Sequence, residues 1–117
     1  MSTETVLFAL LAADAGIGAL VADRIYPEVA PQDADRPLIV YQRESTQPLY
    51  TIHGTLALQS VFVVISCYAS SRADAETIGD AVITALAGST FEALDRTGGY
   101  DPDLLVHSVT IRIVHRT

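Results

Sequence analysis

Along residues 59–69, Gln-Ser-Val-Phe-Val-Val-Ile-Ser-Cys-Tyr-Ala, hydrophobic positions recur on alternate residues. Val61, Val63, Ile65 and Cys67 share one side of an extended chain, an almost wholly apolar one, and Phe62, Val64, Ser66 and Tyr68 share the other. β-Branched residues dominate the run, which predicts a strand. The period then changes. From Asp74 to Ala87 the apolar residues Ala75, Ile78, Val82, Ala85 and Leu86 recur at three and four, the spacing of a helix that lays one stripe on a sheet. Ser71, three positions before Asp74, supplies both halves of a capping box, and Gly88 is placed to end the helix. A strand running directly into a helix is the unit around which the other segments are arranged.

On the N-terminal side, Thr3-Glu4-Thr5 can cap a helix whose stripe is Val6, Leu7, Leu10 and Leu11, widened by Phe8. Gly16 and Gly18 interrupt the pattern after Asp14, and Ile17, Leu20 and Val21 restart it. This predicts a separate short helix rather than one kinked helix. Arg24-Ile25-Tyr26 reads as a brief extended piece ended by Pro27, and residues 28–36, with Pro31, Asp33 and Asp35, read as loop. Pro37 opens a second strand, Leu38 to Thr46, which turns polar on both sides after Tyr41. After the helix, residues 90–94 are compatible with an extended segment, Gly98-Gly99 and Asp101-Pro102-Asp103 supply turn residues, and Leu104 to Val114 returns as a strand. The sequence of elements predicts a single α+β domain over residues 1–117, a mainly antiparallel sheet with two main helices packed on one face.

One segment does not fit a compact domain. Residues 47–54 contain Pro48, Leu49, Tyr50, Ile52 and His53, too apolar for an ordinary solvated turn. An extended Thr55–Tyr68 spans about 46 Å at about 3.3 Å per residue, whereas a domain of this size has a radius of gyration of about 13 Å. The excess predicts a protruding β-hairpin arm that carries Tyr50 and Ile52 to a partner, with Arg43, Glu44, Leu49, Tyr50, Ile52 and His53 as candidate subunit-interface residues. The competing reading folds the tip back as a lid over its own sheet.

Charge and composition narrow the classes. Seven Lys plus Arg against fourteen Asp plus Glu give a net charge of −7, which opposes wrapping a nucleic-acid backbone. No apolar run approaches the roughly 18 residues that span a bilayer, and the chain reads as soluble, with no membrane partner expected. Cys67, the lone cysteine, falls at an apolar strand position and reads as an inert buried thiol. His53, His107 and His115 have no ligand spacing; the last two lie about 26 Å apart on a straight strand and read as partly exposed. Asp33/Asp35 and Asp101/Asp103 read as solvated loop pairs. No catalytic, metal-binding or cofactor-binding residue is assigned, no cofactor is expected, and no enzyme activity is predicted. Arg43, Glu44 and His53 are the only scattered candidates for a ligand pocket.

The layout as a whole resembles the tail completion, or tail-to-head joining, proteins of long-tailed bacteriophages. The resemblance rests on the N-terminal helix with its second short helix, the Asp23-Arg24-Ile25-Tyr26-Pro27 step, the Arg36-to-Tyr41 strand, and Val63–Ala69 running into Ala73–Leu86. It covers nearly the whole chain. It implies an α+β subunit that assembles as a homo-oligomeric ring, a hexamer, on the head-proximal end of a phage tail, assembled in the bacterial host cytoplasm. Such a ring ends growth of the tail tube and docks a head connector or neck protein, while DNA passes through without specific binding. The carboxylates would then line an acidic conduit. A head-closure or neck adaptor is the nearest alternative, and a small ligand-binding domain or enzyme the more distant one. The resemblance transfers no active-site residues.

Overall fold

The computed structural model describes residues 3–31, 35–50 and 56–116. Helix α1 (Thr3–Ala13) and helix α2 (Ala15–Val21) are followed by strands β1 (Ile25–Pro27), β2 (Leu38–Tyr50) and β3 (Leu56–Ala69), helix α3 (Arg72–Leu86), and strands β4 (Phe91–Asp101) and β5 (Val106–Arg116). The strands form one five-stranded sheet in the order β1-β2-β3-β5-β4. All neighbours are antiparallel except β1 with β2. The α+β class with helices on one face is as expected.

The helix boundaries follow local chemistry. Asp14, extended at φ −78° and ψ 122°, accepts the Ile17 N–H at 3.0 Å and starts α2, so the axis turns by 82° between α1 and α2. Two helices form, as the glycine interruption suggests. Ser71 accepts the Asp74 N–H at 3.1 Å at the start of α3. Gly88 adopts φ +79° just past its end, where only glycine is free of strain.

The core lies between the helices and one sheet face. Leu7 and Leu11 of α1, Ile17 and Val21 of α2, and Ala75, Ile78, Val82 and Leu86 of α3 are buried against Ile39, Tyr41, Val61, Val63, Ile65, Cys67, Val109, Ile111 and Ile113. Full burial of each large aliphatic side chain contributes about 1.5–3 kcal/mol, so this stripe-on-sheet contact dominates the stability. Gly79 faces Val109 at such close range that a Cβ there would lie 2.9 Å from its Cγ1. The inner face also closes over His115, whose Nδ1 shares a 3.0 Å hydrogen bond with Thr3 Oγ1 and whose ring stacks on Phe91 at 4.5 Å. His115 is therefore buried, not partly exposed as expected from the sequence; it shares the face of Val109, Ile111 and Ile113. The start of α1 covers it, a contact spanning almost the whole chain.

Two further expectations change. Gly98 and Gly99 are not a turn: β4 runs through them, and they pair with Val109 and Ser108. The reason lies outside the strand. Arg72 donates to Ser108 O at 3.2 Å and Gly99 O at 3.0 Å, and a Cβ at residue 98 would lie 2.6 Å from its guanidinium. Strand β2 also runs past Thr46 to Tyr50. Its ladder with β3 continues through Pro48↔Gln59, Leu49↔Leu58 and Tyr50↔Leu56, beyond Ser60↔Arg116, the last β3–β5 pair. The molecule measures 52 × 29 × 23 Å. A strand of β3's length spans about 46 Å, so it follows the long axis.

Candidate assembly surfaces

Arg43 and Glu44 sit where β2 is interrupted by a bulge, the pairing stepping from Arg43↔Val63 to Ser45↔Phe62. Strand alternation puts the two charges on opposite faces of the sheet, Arg43 on the side of Ile39 and Tyr41. On the helix side Arg43 forms an ion pair with Glu4 of α1, its Nη2 lying 3.0 Å from Oε2, and its Nη1 donates to Thr46 Oγ1 at 3.1 Å. That bond to Glu4 raises the Arg43 pKa further, and Glu4, after burial, also raises the pKa of Tyr41. On the opposite face Glu44 accepts from Arg112 of β5 at 3.0 Å, and Arg112 also reaches Asp95 of β4 at 3.4 Å. A Glu44–Arg112–Asp95 ion triad thus crosses the sheet. Both charges named from the sequence have partners within their own subunit.

Leu49 and Tyr50 form the far end of β2, opposite Leu58 and Leu56. Ile52 and His53 lie outside the described residues, as does the tip of the predicted arm, and the two described charges, Arg43 and Glu44, face opposite sides of the sheet. The sheet has two open margins among the described residues. Strand β1 pairs only with Ile39 to Tyr41's side of β2, covering Ile39, Val40 and Tyr41. Strand β4 is the other border, with a bulge between Ala93 and Asp95 and with Leu94 exposed. Bulges and charges at both borders are the ordinary protection of open strands.

A surface not identified from sequence lies at the opposite end of β2. Parallel β1 and β2 require the chain to cross back over the sheet, and residues 28–31 and Arg36 of this crossover lie on the face away from the helices. They leave an apolar cleft of about 410 Å³, floored by Leu38, Val40, Tyr68 and Val106 and walled by the crossover on one side and Asp101 and Leu104 on the other. The crossover is tethered by Glu28 N–H to Tyr41 O at 2.8 Å and by Arg36 Nη1 to Leu104 O at 3.1 Å. Its rim carries Val29 and Leu104, which are 77% and 64% exposed, and the adjacent Leu105 is 66% exposed. Glu28 and Leu105 hold φ of +67° and +55°. The signal available in the sequence was the unbroken Leu104-Leu105 pair beside a turn.

The remaining chemistry-bearing groups have structural roles. Burial pushes the Cys67 thiol up to about 12, away from the thiolate that nucleophilic chemistry needs. Asp101 Oδ1 accepts the N–H groups of Asp103 and Leu104 at 2.9 and 3.3 Å, closing its own turn. His107 is half-buried, tilted against Tyr100 at 4.5 Å. Among the described residues no cluster of His, Cys, Asp and Glu could hold a metal ion. Among the described residues no single helix is long and apolar enough to cross a membrane.

No curated protein sequence matches the chain. Among solved structures, a chain from the virion of a native gene transfer agent particle superposes with a TM-score of 0.85 and 20% sequence identity, over 98% of this chain and 93% of that one. At that identity the likeness is one of fold. The sequence model described as tail completion protein gp17 matches residues 5–117. That match takes in every strand and all but the first residues of α1, and it agrees with the resemblance carried by the Asp23–Pro27 step and the β3–α3 unit. The chain belongs to the tail completion protein gp17 family and is a structural protein of phage-like tails.

Proposed function

We propose that the chain assembles as a ring, a hexamer, at the head-proximal end of a phage-like tail, where it ends growth of the tail tube and joins the tail to a connector or neck protein. The observation that carries this reading is the family match over residues 5–117. The fold shared with a chain of a gene transfer agent virion supports it. The work is done by surfaces, with no reaction of its own. The sheet face away from the helices carries Glu44, Asp95 and Asp101 beside Arg112, and the whole chain carries −7. With that face toward the bore, passing DNA meets like charge and slides without adhering.

The test is removal of the protein from particle assembly, followed by electron microscopy. Tails of uncontrolled length and heads without tails are expected, and a label on the restored protein should mark the tail end nearest the head. Tails of normal length joined to heads in its absence would overturn the reading. A label on the head-side neck, away from the tail tube, would assign it instead to head closure.

A further inference from the structure

The end of the molecule that holds the cleft is also the end whose charge is left unbalanced. Asp23 and Asp35 precede β1 and β2, Glu28 lines the cleft from the crossover, Asp74 lies in the first turn of α3, and Asp101 and Asp103 stand where β4 passes to β5. The pairs Leu38↔Tyr68, Ala69↔His107 and Asp101↔Val106 bring these segments to one end of the sheet. Among the described residues, none of these six carboxylates forms an ion pair, whereas Glu4, Glu44, Glu76, Asp80 and Asp95 are all held by arginines. Arg24 and Arg36, the cations among them, donate to the carbonyls of Pro37 and Leu104 at 2.8 and 3.1 Å. Arg72, close by, faces Glu76 at 3.5 Å.

We propose that this end docks a different protein of the particle, one that lays an apolar segment bearing Lys or Arg into the cleft. The proposal rests on the tail reading above and deepens it by giving the chemistry of the partner.

Two properties of the surface select that chemistry. The floor, Leu38, Val40, Tyr68 and Val106, is apolar, so what fills it must be apolar too. The carboxylates around it favour a cation and oppose an anion. Like charge therefore disfavours a second copy of the chain, which carries −7, and disfavours nucleic acid. The apolar surface also continues past the cleft onto the exposed side chains of Val29, Leu104 and Leu105, so the occupant is longer than a small molecule. Contiguous exposed apolar residues rimmed by charge mark a protein contact surface. The walls are set before a partner arrives, one by the bond from Glu28 N–H to Tyr41 O at 2.8 Å and the other by the Arg36 tether to Leu104 O.

A short peptide alternating Leu and Arg, and a second with Glu in place of every Arg, probe the full-length chain directly. The Leu–Arg peptide should shift backbone amide resonances at residues 28–31 and 101–106, and the Leu–Glu peptide should not. Glu28→Gln, Asp35→Asn and Asp103→Asn together, all at exposed positions, should weaken the Leu–Arg peptide at least about tenfold. Shifts scattered over the whole surface, no shifts, or equal binding of both peptides would overturn the proposal. In particle assembly, Leu104→Arg should keep the wild-type circular dichroism and self-associate like the parent, yet fail to restore tails to particles that lack the protein. Self-association weakened about tenfold by that substitution would make the cleft a contact between copies and reject the proposal. Normal tails restored by Leu104→Arg, where absence of the protein disturbs them, would reject the docking surface and leave the tail reading standing. Normal tails in the absence of the protein would overturn both.

Discussion

Cys67 lies on the helix-facing side of β3, with Arg96 near enough to draw its pKa down and burial pushing it up more strongly, to about 12. Below its ordinary value of 9.0 the thiol is protonated in both the folded and the unfolded chain and has no effect on the pH dependence. Above 9.0 the unfolded chain releases the proton and the folded one retains it, so stability falls as pH rises, by at most about 1.4 kcal/mol per unit. Tyr41, also raised by burial and then by Glu4, adds to the same alkaline loss. Cys67→Ala should therefore cost about 1 kcal/mol at neutral pH, from the small cavity, and lessen the fall in stability between pH 9 and 11. Urea midpoints measured across that range check it. A slope equal to that of the unaltered protein would mean that water reaches the thiol in the folded state.

At the scale of elements, the contact between α3 and β5 depends on a glycine for its closeness rather than for its backbone freedom. Gly79→Ala would gain up to about 1 kcal/mol of helix propensity. The added methyl would lie 2.9 Å from Val109 Cγ1 and 3.0 Å from Arg96 Nη2. Val109 is fully buried and stiff at χ1, and Arg96 is held by Asp80 at 2.7 Å and by Glu76 O at 3.0 Å. Overpacking of this kind costs about 1–3 kcal/mol, so the variant should melt several degrees lower. A Tm equal to or above that of the parent would mean that α3 shifts outward without loss. The same element also explains what could be read in advance. The β3–α3 unit was legible because alternation, the Ser71 cap and Gly88 act within a few residues of one another. Gly98-Gly99 was misread as a turn because the group that requires small residues there, Arg72, comes from a different element. The cleft was invisible for a similar reason: its walls are residues 28–31 with Arg36, and Asp101 with Leu104, segments far apart in the sequence. Arg43 and Glu44 are named from the sequence as subunit-interface candidates, whereas their partners within the subunit, Glu4 and Arg112, come from distant parts of the chain that no local pattern connects.

For the whole molecule the question is what an elongated subunit gains from its length. The radius of gyration is 15.1 Å, against about 13 Å for a compact chain of roughly this size, and the β2–β3 ladder extends past the shelter of β5. Among residues 44–47, where β2 leaves the bulge, none belongs to the buried cluster. A ladder that runs past its neighbouring strand and carries no acid from residue 45 to residue 73 is explained by contact with other copies. Deleting Tyr50 to His53 separates the two roles. The helical circular dichroism and thermal transition of the monomer should remain close to those of the intact chain, because α1, α2 and α3 keep all their core partners. Assembly should require at least about tenfold more protein. Analytical ultracentrifugation over a concentration series measures this. If the shortened chain forms rings at the same concentration as the intact one, the ladder end takes no part in holding copies together, and the interface must lie along the open margins of β2 and β4.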